Sequence, residues 1–141
     1  MTLPCLPPVA DLLPHTPPMR LLDAVSRFEG AHIECTATLL PTCPFADAAG
    51  SVEPLVAVEL VAQAAAAWAA LAGGGGVRPG VVASCREAQF EDVQLQVGDA
   101  LVVRAERTAG SADFGSFSGV VLRGAAAVAT ISLGVVLGGA T

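Results

Sequence analysis

LVAVELVAQAAAAWAALAG, residues 55–73, decides the fold. Its alanines, valines and leucines continue round every face of a helix, and Glu59 is its only ionisable residue. A helix that is apolar all the way round must be enclosed by the rest of the chain. Pro54 stands where a first helical residue belongs, and the run Gly73–Gly76 stops the helix near Ala72. The length invites a transmembrane reading. Alanine and valine dominate, however, Gln63 joins Glu59 in interrupting the stretch, and strand-like segments flank it. A carboxylate in lipid is expensive, so no membrane span is expected. In a protein core, Glu59 must be paired, protonated or put to use.

Ahead of the helix, the chain is proline-rich as far as Pro18, with a short helical turn at Val9–Leu13 and an extended lead-in through Pro17-Pro18. Arg20–Glu29 reads as a strand, Gly30 as a turn and Ala31–Leu40 as a second strand. In that second strand Ile33, Cys35, Ala37 and Leu39 alternate with His32, Glu34, Thr36 and Thr38, the period of a half-buried strand. Pro41–Glu53 reads as a loop. After the helix, Val81–Phe90, Ala100–Arg107, Phe114–Arg123 and Ala125–Leu137 read as four more strands, punctuated by Gly98-Asp99, Gly110-Ser111 and Arg123-Gly124. No repeat or linker divides the chain, so residues 1–141 are expected to form a single domain. A lone apolar helix needs a surface covering most of its circumference. A strongly curved antiparallel sheet of about six strands supplies one. The expectation is the α+β hotdog fold.

Composition narrows the function. Hydrophobic residues make up 53% of the chain and charged residues 14%, which predicts apolar surface hidden by a second subunit. The net charge is −6, all seven basic residues are arginine, and no basic run exists, which argues against nucleic acid and against a membrane surface. Cys5, Cys35, Cys43 and Cys85 form no CxxC pair and only His15 and His32 accompany them, so no metal site is expected. Reduced, partly buried thiols of a cytoplasmic protein are the reading. The start, MTLPCLPPVADLLP, lacks the positive charge and unbroken apolar run of a secretory leader. The glycines at 73–76 follow a helix rather than opening one and precede no GK[ST], so they are not a phosphate loop.

LPHTPPMRLLDAV, residues 13–25, resembles the LPHxxPM-LLD lead into the first strand of hotdog-fold 3-hydroxyacyl-[acyl-carrier-protein] dehydratases. VELVAQAAAA resembles the IE-x-MAQ start of their central helix. The stretch PFADAAGSVEPLVAVELVAQ, Pro44 to Gln63, is most similar to the dehydratase-like branch of aryl-polyene pigment clusters. The resemblance implies a lyase acting on 3-hydroxyacyl thioesters, linked to acyl carrier protein or CoA, in fatty-acid or polyene and polyketide synthesis. It implies a substrate carried on phosphopantetheine with no further cofactor, and a homodimer or a hetero-oligomer with a paralogous hotdog protein. Housekeeping fatty-acid dehydratases carry a catalytic histidine in the loop before the helix. Residues 44–58 contain none, an absence shared with the aryl-polyene branch. Leu55 stands where that branch has an aromatic residue.

Dehydration removes an α-proton, protonates the departing hydroxyl and needs hydrogen-bond donors for the developing enolate oxygen. Glu59, in the first turns of the helix, is the candidate acid or base; a carboxylate that caps its own helix is the alternative. Desolvation favours the neutral acid and the helix dipole favours the anion, and the sequence leaves both open. His15 is the second catalytic candidate, against a structural role in the lead-in loop. The backbone N–H groups from Leu55 to Val58 are candidate oxyanion donors, Pro54 having none. That reading places Leu55 and Val56 at the substrate, together with Gln63 one turn beyond Glu59 and Cys43 in the preceding loop. Gln63 either holds Glu59, lines the acyl channel or bonds sheet backbone. Asp47 is a further loop candidate, Arg78 and Arg86 are candidates for the phosphopantetheine phosphate, and His32 is expected in solvent. Val81, Val82 and Ala83 are expected along an acyl tunnel or a dimer seam. Two alternatives stand beside dehydration: acyl-thioester hydrolysis on the same scaffold, and a non-catalytic hotdog subunit that shapes a partner's pocket.

Overall fold

The computed structural model describes residues 6–138. A 3-10 turn at Val9–Asp11 is followed by β1 (Ala24–Glu29), β2 (His32–Thr38), β3 (Ser51–Val52), α1 (Val56–Ala72), β4 (Gly80–Phe90), β5 (Leu95–Gln96), β6 (Ala100–Gly110), β7 (Phe114–Arg123) and β8 (Ala126–Leu137). Six strands make one antiparallel sheet in the order β1-β2-β6-β7-β8-β4, and β3 pairs with β5 separately. All six strands of the large sheet touch α1. This is the hotdog architecture expected from the sequence.

Alternation builds the inner face of the sheet. Ile33, Cys35 and Ala37 of β2, Leu101, Val103 and Ala105 of β6, Phe117 and Val121 of β7, and Ile131 and Leu133 of β8 are all buried. They close on the buried residues of α1, most of them alanine. Such short side chains let the sheet approach the helix backbone. Gly119 in β7 takes this furthest: a Cβ there would stand 2.7 Å from Val61 Cγ1, so only glycine fits beneath that turn of α1. At the far end of the helix, Trp68 Nε1 donates to Gly30 O at 2.9 Å, which ties α1 to the β1–β2 turn. The guanidinium of Arg107 lies 5.2 Å from the centre of the Trp68 ring.

The structure corrects three expectations. The loop 41–53 contains β3, whose partner β5 was also not anticipated. Arg20–Asp23 do not belong to the first strand, which starts at Ala24; the Leu21 N–H is directed instead to Gln63 Oε1 at 2.9 Å. Pro54 is not the first helical residue. The helix begins at Val56, and the N–H groups of Val56, Ala57 and Val58 donate to the carbonyls of Glu53, Pro54 and Leu55, each at 3.0 Å. These i−3 bonds wind the start of α1 as a tight 3-10 turn.

Among the described residues β4 bonds only to β8, so its other side is a free edge eleven residues long, exposed throughout. Cys35 and Cys43 are buried and Cys85 is exposed, all three as free thiols, while Cys5 lies outside the described residues. Burial, with the Glu34 charge as a smaller cause, pushes the Cys35 thiol up to about 12. Among the described residues no helix is long and apolar enough to cross a membrane.

Candidate active site

The lead-in loop meets the first turns of α1 through one side chain. Gln63 is completely buried. Its Oε1 accepts from Leu21 N at 2.9 Å, and its Nε2 donates to Met19 O at 2.7 Å and to Glu59 Oε1 at 3.0 Å. The amide has one workable orientation. Reversed, its oxygen would face two acceptors and its NH2 would face a donor. Glu59 and Gln63 sit four residues apart on one helical face, so the amide that pins the loop also aims the carboxylate.

The loop so pinned brings His15 to Glu59. His15 Nε2 lies 3.5 Å from Glu59 Oε1, an ion-pair distance when the imidazole is protonated, and both side chains keep about a quarter of their surface exposed, 28% and 27%. The other ring nitrogen, Nδ1, is buried without a partner among the described residues. Both residues line a pocket of about 210 Å³. Ala62 and Ala66 of α1 form its floor, with Val81 and Val82 of β4 and Val135 and Leu137 of β8 as apolar walls. Arg78, just before β4, also lines it and supplies a cation. A larger depression of about 650 Å³ lies on the outer face of the sheet around Glu34 and Arg104. Its charges are already matched, Arg104 Nε to Glu34 Oε2 at 2.9 Å, and no carboxylate is carried into it from the helix.

The structure thus brings Glu59, His15 and Gln63 together with Arg78. It does not bring Leu55, Val56 or Cys43 to them. Leu55 is 57% exposed and Val56 is wholly buried in the core, and neither lines the pocket. At the helix start the N–H groups of Val56, Ala57 and Val58, expected as oxyanion donors, are engaged in the 3-10 turn. Cys43 is buried beside a different depression, next to Val9, Pro17 and Leu39. Asp47 closes its own turn, its Oδ1 accepting from Ala49 N and Ser51 N at 2.9 Å. Arg86 lies on exposed β4 outside the pocket, and His32 is exposed, 3.8 Å from Glu106. Ala62 and Ala66 were overlooked, although their spacing from Glu59 is the signal of a shared helical face.

Residues 7–138 match the ApeP-like family, described as ApeP dehydratase. The chain belongs to the ApeP dehydratase family. As a member of that family it carries a dehydratase-like function on the hotdog scaffold. The same fold occurs in the dehydratase heterocomplex ApeI:P from Xenorhabdus doucetiae, at 23% identity over 96% of this chain and 93% of that one, with a TM-score of 0.87. It occurs in the uncharacterized protein PH1136 from Pyrococcus horikoshii, at 17% identity over 93% and 94%, TM-score 0.66. A hypothetical thioesterase with coenzyme A from Streptococcus pneumoniae is more distant, at 11% identity over 82% and 84%, TM-score 0.64. No curated protein shows significant sequence similarity to the chain.

Proposed function

We propose that this member of the ApeP family dehydrates 3-hydroxyacyl thioesters, with Glu59 and His15 as its acid–base pair. One observation carries the reading: the loop before β1 delivers His15 to 3.5 Å from Glu59 at a pocket with apolar walls. Residues 44–58 contain no histidine, and His15 reaches the helix carboxylate from the loop before β1. One member of the pair takes the α-proton. The electron pair of that C–H bond passes first into the thioester enolate and then into the C2=C3 double bond as the C3–O bond breaks. The other member protonates the departing hydroxyl, which leaves as water. Gln63 donates to Glu59 Oε1, so Oε2 is the oxygen left for proton transfer. The alanine floor and valine walls suit an acyl chain.

The substrate arrives on the phosphopantetheine of an acyl carrier protein or CoA, in the cytoplasm, with no other cofactor. The working unit is a hetero-oligomer with a second hotdog chain. The free edge of β4 supports this, since Val81, Val82 and Phe90 are exposed along it and Val136 beside it. The ApeI:P heterocomplex sets the precedent of unlike subunits.

The test is turnover of a carrier-linked 3-hydroxyacyl substrate by the chain purified with its partner, followed as the enoyl thioester forms. Glu59→Gln and His15→Asn are each expected to lower turnover by on the order of 10² to 10⁴. Wild-type turnover in both would assign the chemistry to the partner. Release of free thiol in place of enoyl product would make the protein a thioesterase.

A further inference from the structure

Dehydration places negative charge on the thioester oxygen, and something must hold it. The start of α1 offers little, since the N–H groups of Val56, Ala57 and Val58 are already bonded. Among the residues lining the pocket, Arg78 is the one permanent cation. One terminal nitrogen of its guanidinium donates to Ala112 O, which fixes the side chain. Its Nε is buried and has no partner. Three buried side-chain polar atoms lack partners among the described residues, and two of them, Arg78 Nε and His15 Nδ1, belong to this pocket. Neither atom has surface that a ligand could touch, so the group of Arg78 left to meet one is the terminal nitrogen not bonded to Ala112 O, for which no hydrogen bond is made among the described residues. Arg78 and Glu59 also share the pocket without forming an ion pair; the pair recorded for Glu59 among the described residues is with His15.

We infer that Arg78 donates to the thioester carbonyl oxygen and stabilises the enolate that forms there, an inference that rests on the dehydration reading above. The guanidinium keeps its protons throughout. The charge that builds on oxygen is drawn back into the C2=C3 bond as hydroxide leaves with the proton from the acid–base pair. The phosphate of a phosphopantetheine arm is the rival ligand for Arg78. It lies a whole pantetheine length from the thioester, whereas Arg78 stands in the same 210 Å³ pocket as Glu59.

The test uses the full chain with its partner and a 3-hydroxybutyryl-pantetheine substrate, which has no phosphate. Arg78→Gln is expected to lower kcat by on the order of 10² to 10³ while KM changes by less than about threefold, and Arg78→Lys is expected to recover part of the loss. A second readout needs no turnover: the infrared stretch of a ¹³C-labelled thioester carbonyl in bound crotonyl-pantetheine. The wild type should lower its frequency below the solution value, and Arg78→Gln should restore it. Should the glutamine variant misfold, as judged by circular dichroism, the lysine variant carries the same measurement and should show an intermediate shift. An Arg78-dependent shift in a protein that does not dehydrate would overturn the proposed function and leave Arg78 as a carbonyl donor. Wild-type kcat and an unchanged carbonyl stretch in Arg78→Gln would overturn the inference. So would a defect that appears only in KM and only with phosphate-bearing substrates.

Discussion

Replacing Gln63 by Met removes a clamp and leaves its volume nearly unchanged, so no cavity cost obscures the result. Gln63 is wholly buried. Its loss leaves the Leu21 N–H, which sits in a buried bond of 2.9 Å, without an acceptor, at a cost of about 1–3 kcal/mol. The Met19 carbonyl is only part-buried, so water reaches it and its loss adds about 1 kcal/mol, the low end of the same range. The sum, about 2–4 kcal/mol, is a large share of the ~5–15 kcal/mol that holds a typical domain together. At about 3 °C per kcal/mol for a chain of this size, melting should fall by roughly 6–12 °C. Urea unfolding with an unchanged m value is the assay. Below the melting transition, turnover should still drop by about ten- to a hundredfold, because Glu59 is no longer aimed. A midpoint shift worth less than about 1 kcal/mol would refute the view that this amide joins loop to helix.

Two further outcomes follow from the packing and the charges. Gly119→Ala drives a methyl group into Val61, 2.7 Å away. It should cost about 1–3 kcal/mol, and a double variant with Val61→Ala should be less destabilised than the two single changes added together; strict additivity would disprove the contact. Glu34 is held below its ordinary value of 4.5 chiefly by the hydrogen bond from Arg104, with Ser26 and the Arg27 charge assisting against desolvation. A carboxyl so lowered stabilises the fold above 4.5 and loses that contribution as the pH falls through its folded value. Glu34→Gln should therefore melt slightly below the parent at pH 7, by no more than the ~1 kcal/mol of an exposed pair. The two melting curves should converge in acid and in high salt, and a gap that persists at pH 2 would contradict this reading.

The helix was legible because residues 55–73 are apolar on every face, a pattern no other segment shares. β2 was legible from the strict alternation of Ile33, Cys35, Ala37 and Leu39 with polar neighbours. β3 and β5 were not, since two residues are too few to express a period. The misplaced helix start has a local cause. Pro54 suits a first helical position, yet residues 53–58 close i−3 bonds instead, and Leu55 faces solvent while Val56 faces the core, so neither lines the pocket. Cys43 looked close to the helix because it lies close in sequence, but its side chain packs beside Val9 and Leu39. Glu59, Gln63 and His15 could each be named from motif and composition. Their convergence could not, because it depends on a buried amide bonding backbone more than forty residues away.

Gly80, Val81 and Val82 belong at once to a sheet margin that is unpaired among the described residues and to the wall of the pocket that holds Glu59 and His15. Any strand that zips onto that margin becomes part of the pocket. Under the proposed dehydration by a hetero-oligomer, subunit affinity and catalytic rate then cease to be independent quantities, and specific activity declines on dilution by mass action. Selection for a new acyl group would in that case act on two genes together, since the neighbour's strand would help to shape the vessel.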